Sequence, residues 1–496
     1  MCQSVFKLEN YASYETLSRL TDRKNMEELL LKAAGEYPDS IAVTDRGEYS
    51  YKELYSMVAA YRTVLKDAGL KSGDRVGILS PNSIDFIKVY FAVTTAGMTA
   101  VLLPAQLPDK AVYGLSKKFM LQAVICAEVC RSGCGLLSDI PVLSAEESGR
   151  NETAAFDCGT DVPCAVLLTS GTTGQSKGAV LSHRALLRGA KNGCYGLSEI
   201  FSQRYLLVLP LTHVFGLVRN LLTSIYTGSN LFICRDNKDM FRDMAVFRPT
   251  VLVLVPALVE MALDLSRQFG RDMLGGEVKY IICGAAQVSA NLITEYKKRG
   301  ISIFPGYGLT ESANLVSGNP DSAENPKSVG FVYPDMETKI VNGELWLKGP
   351  NMMDGYLNDP QANAEAYEDG WFKTGDLAYI DEKGYLYITG RTKEILVLPS
   401  GENVSPAEVE AWFYLLDDVR DCAVYIKNGR LTAEILPRLS CLGNIPAEKR
   451  MEHFKKLTDR VNMQLPAYAR ITEVVLRDRD FERTPSMKIV RPKGDE

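Results

Sequence analysis

Leu167-Leu-Thr-Ser-Gly-Thr-Thr-Gly-Gln-Ser-Lys-Gly-Ala179 runs from an apolar strand into a segment with five hydroxyl residues, three glycines and one lysine. Glycines let backbone N–H groups approach an anion closely, hydroxyls add donors, and Lys177 supplies a mobile positive charge. A polyphosphate is the natural guest of such a loop. It is not a Walker loop, because Gly178 stands where Ser or Thr would follow the lysine and the glycine spacing differs. A bland flexible loop is the alternative.

The flanking sequence repeats this grammar of short β-branched or apolar runs followed by helical patterns. Arg75-Val-Gly-Ile-Leu-Ser80 precedes a helix from Ile84 to Ala96 and a strand from Met98 to Leu103. Tyr205 to Leu209, Thr250 to Val255 with a helix through Leu265, and Tyr280 to Cys283 continue it. The rhythm predicts an α/β fold with buried sheets. In open α/β sheets ligands collect at the carboxyl ends of strands, which directs attention to the loops after Leu168, Leu209, Val255 and Cys283. From Val332 to Ile388 the pattern changes to short strands with turns, predicting a sheet or small barrel. Beyond Arg391, Ser405-Pro-Ala-Glu-Val-Glu410 carries an N-cap serine and a first-turn proline. The expected organisation is a large N-terminal domain, 1–390, of mostly parallel sheets layered with helices plus a small β-barrel-like part. A small, mobile C-terminal α+β domain, 391–496, follows.

The composition narrows the function classes. At roughly 150 residues per domain, 496 residues form two to four packed units. Hydrophobic residues at 46% and charged residues at 24% are ordinary for a globular chain. The net charge of -5 carries no field that would gather nucleic acid. Residues 1–10 lack a basic flank followed by an apolar block, so no secretory signal is expected. The longest apolar run, Val251 to Val259, is interrupted by Pro256 and falls short of the roughly 18 residues of a membrane span. Eleven scattered cysteines suit a reducing compartment, the cytoplasm, better than a disulfide framework. Cys126, Cys130 and Cys134 recur at a spacing that would put three thiols on one helical face, but the paired spacing of a zinc site is missing.

Thr169-Ser-Gly-Thr-Thr-Gly174 followed by Lys177-Gly178 resembles the phosphate loop of the adenylate-forming enzymes, the group of acyl-CoA synthetases, luciferases and peptide-synthetase adenylation domains. The resemblance continues in order through Pro210-Leu-Thr-His-Val-Phe-Gly216, Cys283-Gly-Ala-Ala286, Gly306-Tyr-Gly-Leu-Thr-Glu311, Gly343-Glu-Leu345, Gly370-Trp-Phe-Lys-Thr-Gly-Asp376, Gly390-Arg-Thr-Lys393 and Thr484-Pro-Ser-Met-Lys488. It covers nearly the whole chain.

The resemblance implies that Thr169, Ser170, Gly171, Thr172, Thr173, Gly174 and Lys177 hold the ATP phosphates. Gly284, Ala285 and Ala286 would let adenine lie against backbone, with Tyr307 stacking on it. Gly308 and Thr310 would complete the nucleotide site, and Glu311, with Thr173, would bind Mg²⁺. A hard cation asks for a carboxylate and phosphate oxygens, which Glu311 suits. Taken alone, Thr310 and Glu311 also fit a capped helix start. The family places Asp376 and Arg391 on the ribose, although an Asp–Arg salt bridge is the structural alternative. Lys393 matches the hinge of the small domain, and the loop Leu398 to Asn403 matches the segment along which the thiol approaches. On composition His213 could equally be a packed core histidine or a base; the resemblance implies that it lines the place where acyl group and pantetheine meet. Lys488 is expected to carry the first step, because one lysine between carboxylate and α-phosphate offsets their repulsion in the transition state.

Two departures inform the substrate. Ser176 stands where the family usually has proline, which removes no ligand. Leu211-Thr-His-Val214 supplies no aspartate for a substrate ammonium, which argues against an amino acid. The expectation is therefore Mg²⁺-dependent activation of a medium- or long-chain fatty acid by ATP, then transfer to coenzyme A. Loading of a carrier-protein phosphopantetheine, an aryl acid, and a non-catalytic nucleotide-binding relative are the alternatives. A serine hydrolase would need a Gly-x-Ser-x-Gly elbow, which Ser170 does not have.

Overall fold

The computed structural model describes residues 13–150, 159–169, 177–398, 402–443, 445–483 and 489–492. Two large sheets dominate the N-terminal part. Among the described residues the first has seven strands, ordered in space Gly355–Tyr356, Lys177–Ser182, Pro163–Thr169, Thr99–Leu103, Arg75–Leu79, Ala123–Cys126 and Val142–Ser144. It is parallel from Pro163–Thr169 to the Val142–Ser144 edge, whereas Lys177–Ser182 turns back antiparallel, pairing Thr169 with Lys177. The two ends of the hydroxyl- and glycine-rich segment are thereby fixed side by side on adjacent strands.

The second sheet has nine strands among the described residues, with Ser302–Tyr307, Tyr280–Cys283, Val251–Leu254, Arg204–Leu207, Asn230–Ile233 and Ile41–Thr44 parallel in that order. Strands buried on both faces read as continuous apolar runs, and Val251–Leu254 and Tyr280–Cys283 are buried at every residue. The helix Ile84–Thr95 is buried at every residue but Asp85. Its sequence, Ile-Asp-Phe-Ile-Lys-Val-Tyr-Phe-Ala-Val-Thr-Thr, accordingly shows no strong polar face. It shares one core with strands of both sheets.

The strands expected after Val332 form, among the described residues, a five-stranded antiparallel sheet built on Trp371–Ile380, which pairs with Glu344–Lys348 and with Leu386–Arg391. From Leu396 to Leu476 the chain has its own apolar core, centred on the helices Pro406–Phe413 and Ala447–Asn462 and a three-stranded sheet. Ser405 caps the first of these helices, its side chain accepting from the Glu408 N–H, and Pro406 occupies the first turn.

The three cysteines do not share a helical face. Cys126 closes a strand, while Cys130 and Cys134 lie in the 3₁₀ segment Glu128–Cys134. Among the described residues no group of three His, Cys, Asp or Glu side chains is placed to hold a metal. No helix of the described residues is long and apolar enough to cross a membrane.

Candidate functional site

The loops at the carboxyl ends of the parallel strands open into one cavity of about 2570 Å³. It exceeds the roughly 300–1,000 Å³ of a single small-ligand pocket, leaving room for more than one substrate. Thr169 and Lys177 line it beside His213. Gly284, Ala285 and Ala286, Tyr307, Gly308, Thr310 and Glu311 form another part of its wall, and Asp376, Arg391 and Lys393 a third. Every described residue that the sequence singled out for chemistry thus faces the same space. Ser170, Gly171, Thr172, Thr173, Gly174 and Lys488 lie outside the described residues, as do residues 399–401 of the Leu398 to Asn403 loop.

The backbone explains the small residues. After the strand Tyr280–Cys283 the chain turns at once, with Ala285 in the left-handed region at φ 68°. A Cβ at Gly308 would sit 1.4 Å from the Asn314 carbonyl oxygen, so no side chain fits there. That close approach folds Thr310–Ser312 into a 3₁₀ turn that presents Glu311 to the cavity. The turn is held from the far side, where the Met353 N–H donates to the Glu311 carbonyl at 2.8 Å and Asn351 Nδ2 donates to the Ser312 and Leu315 carbonyls.

Two polar networks meet in the cavity. In the first, Asp376 and Arg391 stand directly opposite each other on adjacent antiparallel strands. Asp376 is 3% exposed, and its carboxylate accepts from Arg391 Nε at 2.6 Å and from the Tyr307 hydroxyl at 2.6 Å. The salt bridge considered as the structural alternative is therefore present, in the wall of the site. Burial, reinforced by the Asp376 charge, holds the Tyr307 hydroxyl well above the usual tyrosine range, so it donates. Burial works against the Arg391 charge, but Asp376 outweighs it and raises its pKa. The bend that brings Asp376 inward is fixed by Thr374, whose hydroxyl donates to the Leu345 carbonyl, and by Glu344, which accepts from the Gly375 N–H at 2.7 Å.

The second network was not legible in the sequence. Tyr356 donates its hydroxyl to Glu311 Oε1 at 2.8 Å, and the Lys177 ammonium lies 4.8 Å from its ring centroid. Tyr356 reaches this position because Gly355–Tyr356 pairs with Lys177–Ser182, a contact between segments far apart in the chain. It connects the lysine at one end of the phosphate-loop segment with the carboxylate expected to bind a cation. One free carboxylate oxygen fits Mg²⁺ that arrives with a polyphosphate, because this ion is held by one or two carboxylates together with substrate oxygens.

His213 follows Pro210 in a turn, and its Nδ1 accepts from the Phe215 N–H at 3.3 Å. His183 is structural. It is fully buried, its Nδ1 accepts from the Met26 N–H, and burial pushes its pKa down to about 4. Arg483 and Ile489, on either side of the Lys488 segment, pair as an isolated antiparallel bridge, and both line the cavity. Arg491 grips Glu410 with two hydrogen bonds of 3.0 and 2.9 Å and also pairs with Glu394, next to Lys393.

Across the cavity, Arg438 from the C-terminal unit donates to Asp264 at 3.2 Å and lies 3.7 Å from Glu260, both on the helix Pro256–Phe269. Burial pushes the Glu260 carboxyl up to about 7 against the pull of Arg438. Its folded pKa is thus raised above its unfolded value, so the fold binds the proton more tightly. Stability is greatest below the ordinary carboxylate pKa of about 4.3 and declines as pH rises toward about 7. Glu260→Gln, which mimics the protonated form, is therefore expected to be more stable than the parent at pH 8 by about 2–3 kcal/mol and nearly equal at pH 5. Urea midpoints at the two pH values check this, and an equal difference at both would contradict it.

Residues 30–357 match the family model described as AMP-binding enzyme. The feruloyl-CoA synthase of an Amycolatopsis species is 30% identical over 408 residues, covering 78% of this chain and 82% of that protein. The oxalate–CoA ligase of Arabidopsis thaliana is 29% identical over 487 residues, covering 86% and 94%. Among solved structures, the o-succinylbenzoate CoA synthetase of Bacillus subtilis in complex with its acyl-adenylate intermediate superimposes with a TM-score of 0.80 at 23% identity, covering 96% of this chain and 100% of that one. The α/β fold, the convergence of the motif residues on one cavity and these matches together place the chain in the AMP-binding enzyme family, as an acid–thiol ligase.

Proposed function

We propose that the enzyme activates a carboxylic acid with ATP as an acyl adenylate and passes the acyl group to coenzyme A. The observation that carries this reading is the meeting of the two networks, Tyr307–Asp376–Arg391 and Lys177–Tyr356–Glu311, in one cavity. The first supplies an aromatic face, a carboxylate and a guanidinium for a nucleoside, with lone-pair capacity left on Asp376 for ribose hydroxyls. The second supplies an ammonium for phosphate and a carboxylate for its cation. Mg²⁺ bound there would neutralise phosphate charge as it builds.

In the first half-reaction a carboxylate oxygen of the acid attacks the α-phosphorus and the bond to the β-phosphate breaks, releasing pyrophosphate beside Lys177. Lys488 is assigned the offset of charge between the two anions. In the second, the thiolate of coenzyme A attacks the acyl carbonyl and AMP leaves, with His213 lining the meeting point. The C-terminal unit, 391–496, is assigned the movement between the two poses about Lys393. The separate apolar core from Leu396 to Leu476 supports its independence. The reducing cytoplasm is the compartment we assign, on the scattered cysteines of the sequence.

The relatives are named for feruloyl, oxalate and succinylbenzoate substrates, acids that differ in length, ring and charge. The expectation of a fatty acid rests on the apolar stretch from Leu211 to Leu222, and the cavity walls Val214, Phe215, Phe304 and Leu315 support an apolar stem. ATP–pyrophosphate exchange over a panel of carboxylic acids, followed by thioester detection with coenzyme A and with a phosphopantetheinyl carrier protein, tests the whole reading. Acid-dependent exchange and a coenzyme A thioester are expected. No exchange with any acid would mark a non-catalytic nucleotide binder, and thioester on the carrier alone would move the acceptor.

A further inference from the structure

The apolar stretch behind His213 contains one charge. Arg219 lies on Phe215–Leu222, which is wound as a π-helix, a form that recurs at functional sites. The residue is 2% exposed and lines the cavity, and its Nη1 is sealed from solvent without a hydrogen-bond partner. Among the described residues no carboxylate pairs with it. Gly193 makes room for the guanidinium, since a Cβ there would stand 3.1 Å from Nη1.

The neighbours that feel its charge do not neutralise it. Burial pushes the hydroxyls of Tyr205 and Tyr333 up to about 12, and the Cys194 thiol to about 12, in each case against the pull of Arg219. All three are neutral at physiological pH. The Tyr205 hydroxyl, buried as well, faces the guanidinium as a neutral group and supplies no counter-charge. A buried cation with no counter-ion is strongly disfavoured, whereas the same guanidinium receives a carboxylate through two parallel hydrogen bonds. Tyr195, Val214, Phe304 and Tyr333 wall the cavity with Arg219, so the missing anion would arrive on an apolar stem.

Building on the acid–thiol ligase reading above, we infer that the acid this enzyme activates carries a second carboxylate at its far end, and that Arg219 receives it. A plain fatty chain would bury methylenes against an unpaired cation. An aliphatic or aryl dicarboxylic acid presents one carboxylate to the α-phosphate and closes the ion pair with the other.

The test compares matched pairs in ATP–pyrophosphate exchange: hexanoate with adipate, octanoate with suberate, and cinnamate with 4-carboxycinnamate. A charged hydrogen-bonded partner is worth roughly 10- to 100-fold, so at the best length the diacid should exceed its monoacid by that factor in kcat/KM. Arg219→Met, close in shape and uncharged, should reverse the order, lowering the diacid and raising the monoacid, while Arg219→Lys keeps part of the diacid preference. Its melting temperature should not fall, because an uncompensated buried charge has been removed. A monoacid preferred by the parent enzyme, or equal loss on both acids in Arg219→Met, would overturn the inference while leaving adenylation intact. Exchange with none of the acids would overturn both.

Discussion

Asp376→Ala is expected to slow pyrophosphate exchange by roughly 10²-fold, the scale for losing one preorganised electrostatic group, with most of the loss in KM for ATP. Asp376 holds two partners at once, the Tyr307 hydroxyl at 2.6 Å and Arg391 Nε at 2.6 Å. Without it, the aromatic face loses its anchor and the guanidinium loses its counter-ion. Arg391 is 41% exposed at its side chain, so water takes over part of its solvation and the loss in stability should stay well below that of a fully buried broken pair. Asp376→Asn, which keeps an acceptor oxygen for only one of the two donors and lacks the charge, should fall between. Initial rates against ATP at saturating acid separate these outcomes. A KM for ATP within twofold of the parent in Asp376→Ala would remove the residue from the nucleotide site.

Legibility followed the range of the interactions. The strand runs ending at Leu168, Leu209, Val255 and Cys283 announced themselves through local apolar pattern, and loops of the cavity lie at their ends. Asp376 and Arg391 were each visible as a charge beside a turn, but their pairing depends on the register of two strands joined by a short connection. Tyr356 carried no local signal, because what makes it part of the site is a pairing with a strand that precedes it by about half the N-terminal part. The Arg438–Glu260 contact has the same character, linking two units whose separate patterns say nothing of each other. Arg219 was visible as the one charge in an apolar stretch. Its direction was not, since a π-helix does not follow the 3.6-residue period by which faces are read. The thiols at a spacing of four would share a face only on a helix, and the chain there makes a strand end and a 3₁₀ segment.

Lys488→Ala should slow adenylate formation by roughly 10²-fold or more, yet leave thiol transfer from a supplied acyl adenylate working. The asymmetry follows from the charges. In the first half-reaction a carboxylate must approach a phosphate, so one ammonium between them acts on both the repulsion and the charge that builds in the transition state. In the second, the thiolate attacks the acyl carbonyl and AMP departs with the electron pair of the broken bond as one further negative charge; no anion has to attack phosphorus, and the demand on that lysine is smaller. The described residues on either side reach the same cavity, where Arg483 and Ile489 pair in the wall and Arg491 is clamped by Glu410 and Glu394. Arg491 is protonated throughout the physiological range because those carboxylates outweigh its burial, so the clamp holds whatever the state of the lysine. Single-turnover rates for pyrophosphate release and for thioester formation from synthetic acyl adenylate measure the two steps apart. Equal loss in both would mean that Lys488 supports the fold of the C-terminal unit, and that the charge between acid and α-phosphate comes from another residue.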